Sequence, residues 1–143
     1  MYARLALVGT LVAAVTLGMV AAAPAQTTPP KRVIEVSMTS YKFEPSQLRV
    51  TEGETVVIRL KNVDPAGRRH NMASAYFATI PLTLRGDGEE GTNEGRKYVV
   101  VSAGKEAEFE FVARNRGSYA FICSLFDHAA RGQTGTLIVQ APQ

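Results

Sequence analysis

At 143 residues, with 16 basic and 13 acidic side chains, the chain has room for one domain and one hydrophobic core. A net charge of +3, with the basic residues scattered, excludes a nucleic-acid surface. One cysteine in the whole chain excludes an internal disulfide framework.

The N-terminus reads as an export signal. Arg4 supplies a basic start, Leu5 to Val20 form an apolar stretch, and Ala23-Pro24-Ala25 offers a small-x-small cleavage site. The alternative is an anchor that is never removed, although an apolar run of about 16 to 19 residues lies near the lower limit for a bilayer span. Cleavage near Ala25 would leave residues 26–143 in the periplasm or outside the cell, and the compact signal points to a bacterial host. Residues 26–32 carry no apolar pattern and read as a flexible lead-in to a domain over 33–143.

From Val33 onward the dominant period is two. An uneven strand runs from Val33 to Met38, and Leu48–Thr51 predicts the next. In Thr55-Val-Val-Ile-Arg-Leu-Lys61 alternation places Val56, Ile58 and Leu60 on one face and Val57, Arg59 and Lys61 on the other. Further strands are expected at 98–101, 106–112, 118–123 and 135–140. In Glu108-Phe-Glu-Phe111 both phenylalanines turn inward and both carboxylates face solvent. Turn formers separate these runs at 44–46, 52–54, 64–67, 103–104 and 115–117, and no helical stripe of three turns follows the signal. Short strands with this punctuation predict an all-β sandwich. The exception is 72–97, apolar at first and then the Gly-rich acidic run Arg85–Gly95, which reads as a long functional or mobile loop.

The chemistry concentrates in Cys123-Ser-Leu-Phe-Asp-His128-Ala-Ala-Arg-Gly-Gln133 and in His70-Asn71. A free thiol in an exported chain invites oxidation unless something occupies it. One thiolate and two neutral imidazoles are the donor set of a trigonal His₂Cys copper site with a weak fourth ligand. His128 and Gln133 lie between two predicted strands, where a metal could be wrapped at one end of a sandwich. Met72 is a second candidate for the weak position, with packing in the core as its alternative; Met38 reads as core.

These residues resemble the cupredoxins, the type 1 blue copper family of plastocyanin, azurin and the phytocyanins. The resemblance runs through Phe43-x-Pro45-x-x-Leu48-x-Val50-x-x-Gly53-Glu54-x-Val56, Leu60-x-Asn62 and His70-Asn71. It continues in Gly117-x-Tyr119-x-Phe121-x-Cys123, His128 and Gly132-Gln133-x-Gly135-Thr136-Leu137-x-Val139. It implies a Greek-key β-sandwich with one type 1 copper ion at one end. His70, Cys123 and His128 map onto the equatorial ligands, and Asn71 onto an asparagine that ties the two ligand-bearing segments together. The axial position, usually Met, is held by Gln133 as in stellacyanin-type phytocyanins; the alternative is that Gln133 is a surface loop residue. The family's loop also differs here, carrying Leu125-Phe126-Asp127 before His128.

The resemblance implies one-electron transfer, Cu(II) to Cu(I), rather than catalysis, since two histidines cannot furnish the second copper centre of an oxidase. A redox protein such as a cytochrome or oxidase domain would dock on an apolar patch at His128 formed by Leu125, Phe126, Ala129 and Ala130. Arg68, Arg69 and Arg131 would give that patch a positive rim favouring an acidic partner. The chain is expected to act as a monomer with no membrane span once the signal is removed. A periplasmic copper carrier or buffer is the alternative function, and the shortage of Met and His counts against it. No redox role is assigned to Tyr41, Tyr76, Tyr98 or Tyr119, which read as strand aromatics.

Overall fold

The alternating apolar residues of the chain sort into two sheets whose inner faces meet. The computed structural model describes residues 31–143. Residues 1–25, expected to be an export signal, and most of the lead-in lie outside the described residues, but Lys31 and Arg32 already belong to the first strand. No helix among the described residues is long and apolar enough to cross a membrane.

The first sheet holds five strands in the order β2-β1-β4-β9-β6. These are β1 (Lys31–Thr39), β2 (Lys42–Glu44), β4 (Thr55–Asn62), β6 (Thr83–Gly86) and β9 (Glu106–Val112). The second holds six in the order β3-β11-β10-β5-β8-β7. Its members are β3 (Gln47–Thr51), β5 (His70–Ser74), β7 (Gly88–Asn93), β8 (Arg96–Val101), β10 (Gly117–Ile122) and β11 (Thr134–Gln140). β1 runs parallel to β4, and β3 parallel to β11; the remaining pairings are antiparallel. Between the sheets lies one core that includes Met38, Phe43, Ile58, Leu60, Met72, Phe77, Phe109, Phe121 and Leu137, all buried. Met72 thus packs in the core, opposite Val99 across the β5–β8 ladder.

The reading of 72–97 as a long loop is corrected. After the single 3₁₀ turn Tyr76–Thr79 the chain adds β6 to one sheet, crosses over at Gly86–Asp87, and adds β7 to the other. Gly86 makes the crossing possible: at φ +86° a side chain is strained, and an added Cβ would sit 3.0 Å from the Glu106 carbonyl oxygen. The Gly-Glu-Glu-Gly-Thr-Asn sequence of β7 has poor strand propensity. It is held as an edge strand by continuous pairing with the apolar β8.

Three facts of topology place the functional residues. β5 begins at His70, β10 ends at Ile122 just before Cys123, and β11 begins just after Gln133. Because β5 and β10 are antiparallel, with Ile122 opposite Ala73, these points fall at the same end of the sandwich. The parallel pair β1 and β4 ends there too, with Met38 opposite Asn62.

Candidate metal centre

At that end the structure brings His70, Cys123 and His128 together, all buried, with one donor atom from each lying within 4.8 Å of the others. Cys123 Sγ is 3.4 Å from His128 Nδ1 and 3.9 Å from His70 Nδ1. The two imidazole centroids are 4.9 Å apart. Gln133 is also fully buried, with its side-chain Oε1 2.8 Å from His70 Nδ1. It is therefore not a surface loop residue.

The loop that carries His128 is built from its own backbone bonds. Cys123 N–H donates to the Gln133 carbonyl at 3.0 Å, closing the neck. Inside, Gln133 N–H donates to the His128 carbonyl, Gly132 N–H to that of Ala129, and His128 N–H to that of Leu125. At the base of the loop Gly135 lets β11 pass close to its neighbours: an added Cβ would collide with the Phe121 ring and lie 2.5 Å from the Ser46 carbonyl oxygen. Asn71 ties this loop to β5. Its Nδ2 donates to Ser124 Oγ at 2.9 Å, its Oδ1 accepts Ser124 N–H at 2.8 Å, and its own backbone N–H points at Cys123 Sγ, 3.4 Å away.

A family model described as a cupredoxin-like domain matches residues 9–139. The chain belongs to the cupredoxin-like family. Two curated relatives are multicopper oxidases, from Staphylococcus epidermidis and Staphylococcus haemolyticus. Each is 26% identical over 113 residues, or 73% of this chain and 24% of theirs. The cupredoxin thus spans about a quarter of the length of the curated relatives it matches. Among solved structures, auracyanin B superposes with a TM-score of 0.59 at 18% identity, covering 81% of this chain and 93% of its own. Auracyanin A, titled a "blue" copper protein of Chloroflexus aurantiacus, gives 0.56 at 21% identity over 78% of this chain and all of its own. A multicopper oxidase from Pediococcus acidilactici gives 0.62 at 14% identity over 86% of this chain and 29% of its own. At these identities the likeness is one of fold.

The donor set of this cupredoxin fits one copper ion. His70 Nε2 lies 2.7 Å from Asp64 Oδ2. Burial pushes the Asp64 carboxyl up, but hydrogen bonds from His70, the Ala66 N–H and Ser40 outweigh it and hold the group at about 2. An ionised carboxylate only accepts, so Nε2 carries a proton, and in the neutral ring that leaves the Nδ1 lone pair for a metal. Nδ1 faces Gln133 Oε1 at 2.8 Å, a contact that either an Nδ1 proton or a cation held by both atoms would satisfy. Gln133 is fixed oxygen-inward because its Nε2 donates to the Lys42 carbonyl at 3.5 Å. Burial, then the neighbouring His70 and Arg68, lower the His128 pKa, so its ring stays neutral and able to donate a lone pair. Burial raises the Cys123 thiol pKa against backbone N–H groups from Asn71 and Leu125, so a metal must displace its proton to bind.

Two residues that matter here were not singled out by sequence. Asp64, read as a turn former, is the buried partner of His70. Tyr41, read as a strand aromatic, sits in the β1–β2 turn at φ +65°. Its ring meets the His128 imidazole edge-on, centroids 5.3 Å apart, with the Arg131 guanidinium carbon 4.0 Å from the tyrosine centroid. The available signal for Asp64 was its position six residues before His70, which means nothing until the 63–69 loop is folded. Asn62 folds that loop: its Nδ2 donates to the carbonyls of Arg68 and of Val101 on the opposite sheet, and its Oδ1 accepts Asp64 N–H.

Outside the ring of donors, Tyr41, Arg68, Arg69, Phe126, Asp127 and His128 line a shallow depression. Phe126 is 95% exposed, so it does not shield the site. Each arginine expected to make the rim positive already has a carboxylate within 4 Å: Arg68 has Asp64, Arg69 has Glu89 and Arg131 has Asp127.

Proposed function

We propose that this cupredoxin is an exported one-electron carrier with copper held by His70 Nδ1, Cys123 Sγ and His128 Nδ1, and with Gln133 Oε1 as the weak axial donor. The observation that carries the reading is the convergence of the three strong donors, within 4.8 Å of one another, in a buried pocket with an amide oxygen at its side. When bound, copper supplies a Cu(II)/Cu(I) couple, and the softness of the thiolate with the hardness of the amide oxygen sets its potential.

The chain's part is to change little. The neck bond from Cys123 to Gln133, the Asn71–Ser124 pair and the fixed Gln133 amide hold the donors in place in either oxidation state. Burial keeps water out of the pocket, and His128 stands nearest the surface among the three strong donors. A redox partner therefore docks over His128, using Phe126 and the flanking Leu125, Ala129 and Ala130. With the rim arginines already facing carboxylates, apolar contact carries this docking, and its rate depends weakly on salt. Export to the periplasm or beyond rests on the signal-like first 25 residues. The mass of the secreted chain tests it, with a start near Gln26 expected and an intact Met1 contrary.

The two histidines of the chain are both consumed by this one centre, which disfavours oxidase chemistry by the chain itself despite its multicopper-oxidase relatives. Voltammetry of the copper-loaded protein tests the carrier reading. A reversible one-electron wave is expected, moving to higher potential in Gln133→Met as a hard axial oxygen gives way to a thioether. An irreversible wave, or ready loss of copper to a weak chelator, would favour the copper-carrier alternative. A wave unmoved in Gln133→Met would remove Gln133 from the ligand set.

A further inference from the structure

The surroundings of Asp64 exceed what a turn requires. Its side chain has no exposed surface. Oδ2 accepts from His70 Nε2 at 2.7 Å and from Ser40 Oγ at 2.9 Å, and Oδ1 accepts the Ala66 N–H at 2.7 Å. Among the described residues the one further cation facing it is Arg68, whose Nη1 lies 3.7 Å from Oδ1 and donates to Ser40 Oγ at 2.9 Å. Arg68 is itself about two-fifths exposed, so its charge is partly screened by solvent.

A buried carboxylate costs more than a buried amide, because taking a full charge out of water is penalised and only partly offset by hydrogen bonds. An asparagine could turn its single oxygen toward His70 and Ser40, losing the Ala66 N–H bond, so an acceptor for His70 does not by itself require the charge. What the charge adds falls on His70. A carboxylate behind an imidazole fixes the tautomer, orients the ring and strengthens the opposite nitrogen as a donor. It also places a negative charge in a low-dielectric region, where it acts over longer range than it would in water.

We propose that Asp64 is a positioning and tuning residue of the copper centre, orienting His70 through one oxygen and favouring the more positive metal state through its charge, with Arg68 as the opposing charge. The inference rests on the copper reading above. Its two halves separate by substitution, since Asp64→Asn keeps an acceptor and loses the charge, whereas Asp64→Ala loses both. Arg68→Gln removes the opposing charge and leaves the carboxylate.

The test uses the full chain in two forms. In the copper-loaded form, Asp64→Asn shifts the Cu(II)/Cu(I) balance about tenfold toward Cu(I), which is 59 mV for one electron, and Arg68→Gln shifts it the opposite way. Both keep the intense visible band. In the Zn(II)-loaded form, where no colour or redox chemistry is involved, the His70 Nε2–H resonance is protected from solvent exchange in the wild type and Asp64→Asn and loses protection in Asp64→Ala. A wild-type potential in Asp64→Asn with the visible band intact overturns the tuning role. Equal exchange in the three zinc proteins overturns the orienting role. Absence of a visible band in the wild type would instead sink the copper reading, while the zinc result would still decide what Asp64 does to His70.

Discussion

The copper end of the sandwich and the outer face of its five-stranded sheet are both rich in polar side chains, yet they are built on opposite terms. At the copper end Asn62, Asp64, His70, Asn71, His128 and Gln133 are buried, and each has specific partners. No buried side-chain nitrogen or oxygen among the described residues lacks a hydrogen-bond partner. On the outer face Lys31, Glu35, Arg59, Lys61, Arg85, Glu106, Glu108 and Glu110 form a lattice of ion pairs across β1, β4, β9 and β6, all open to solvent. The register that sets Arg59 opposite Glu108, and Lys61 opposite Glu106, puts opposite charges side by side. Water screens these pairs and side-chain entropy opposes them, so each adds little. The lesson is that ion pairing marks a well-ordered surface, while burial of partnered polar groups marks the working end.

Three substitutions sharpen that contrast. Asn62→Ala has the largest expected effect. It leaves the carbonyls of Arg68 and Val101 and the Asp64 N–H without their partner, at a cost of about 3 kcal/mol in urea unfolding. It also loosens the 63–69 loop and so weakens copper retention. Asn71→Ala comes next, costing about 1–2 kcal/mol as Ser124 N–H loses its acceptor, with faster copper release because β5 is no longer tied to the ligand loop. Glu108→Gln has the smallest effect: a slight drop in melting temperature at low salt that vanishes at high salt, with the copper spectrum unchanged. A large, salt-insensitive loss in Glu108→Gln, or a neutral Asn62→Ala, would show that the two regions are not held on different terms.

The sequence disclosed the site better than it disclosed the sheet edges. Cys123, His128 and Gln133 around one loop, with His70-Asn71 upstream, made the site legible through residue type, spacing and the resemblance to cupredoxins that they carry. β9 was legible residue for residue, because Phe109 and Phe111 alternate with glutamates that need solvent or a cation. β7 was not, because Gly-Glu-Glu-Gly-Thr-Asn owes its strand to the neighbour it pairs with and not to its own propensities. β5 was hidden for the opposite reason, since all five of its residues are buried and no alternation remains. Asp64 and Tyr41 were missed because their roles arise from where two turns come to rest, near His70 and His128, and local pattern carries no trace of that.

The chemistry of this end of the sandwich turns on a thiolate-bound copper ion at Cys123. The direct test is the visible absorption and EPR spectrum of the protein with one equivalent of Cu(II), beside Cys123→Ser. An intense thiolate-to-copper band is expected in the wild type, with the small copper hyperfine splitting of a covalent Cu–S bond, and both are lost in Cys123→Ser. A pale wild-type spectrum of nitrogen and oxygen type, indistinguishable from that of Cys123→Ser, would contradict it.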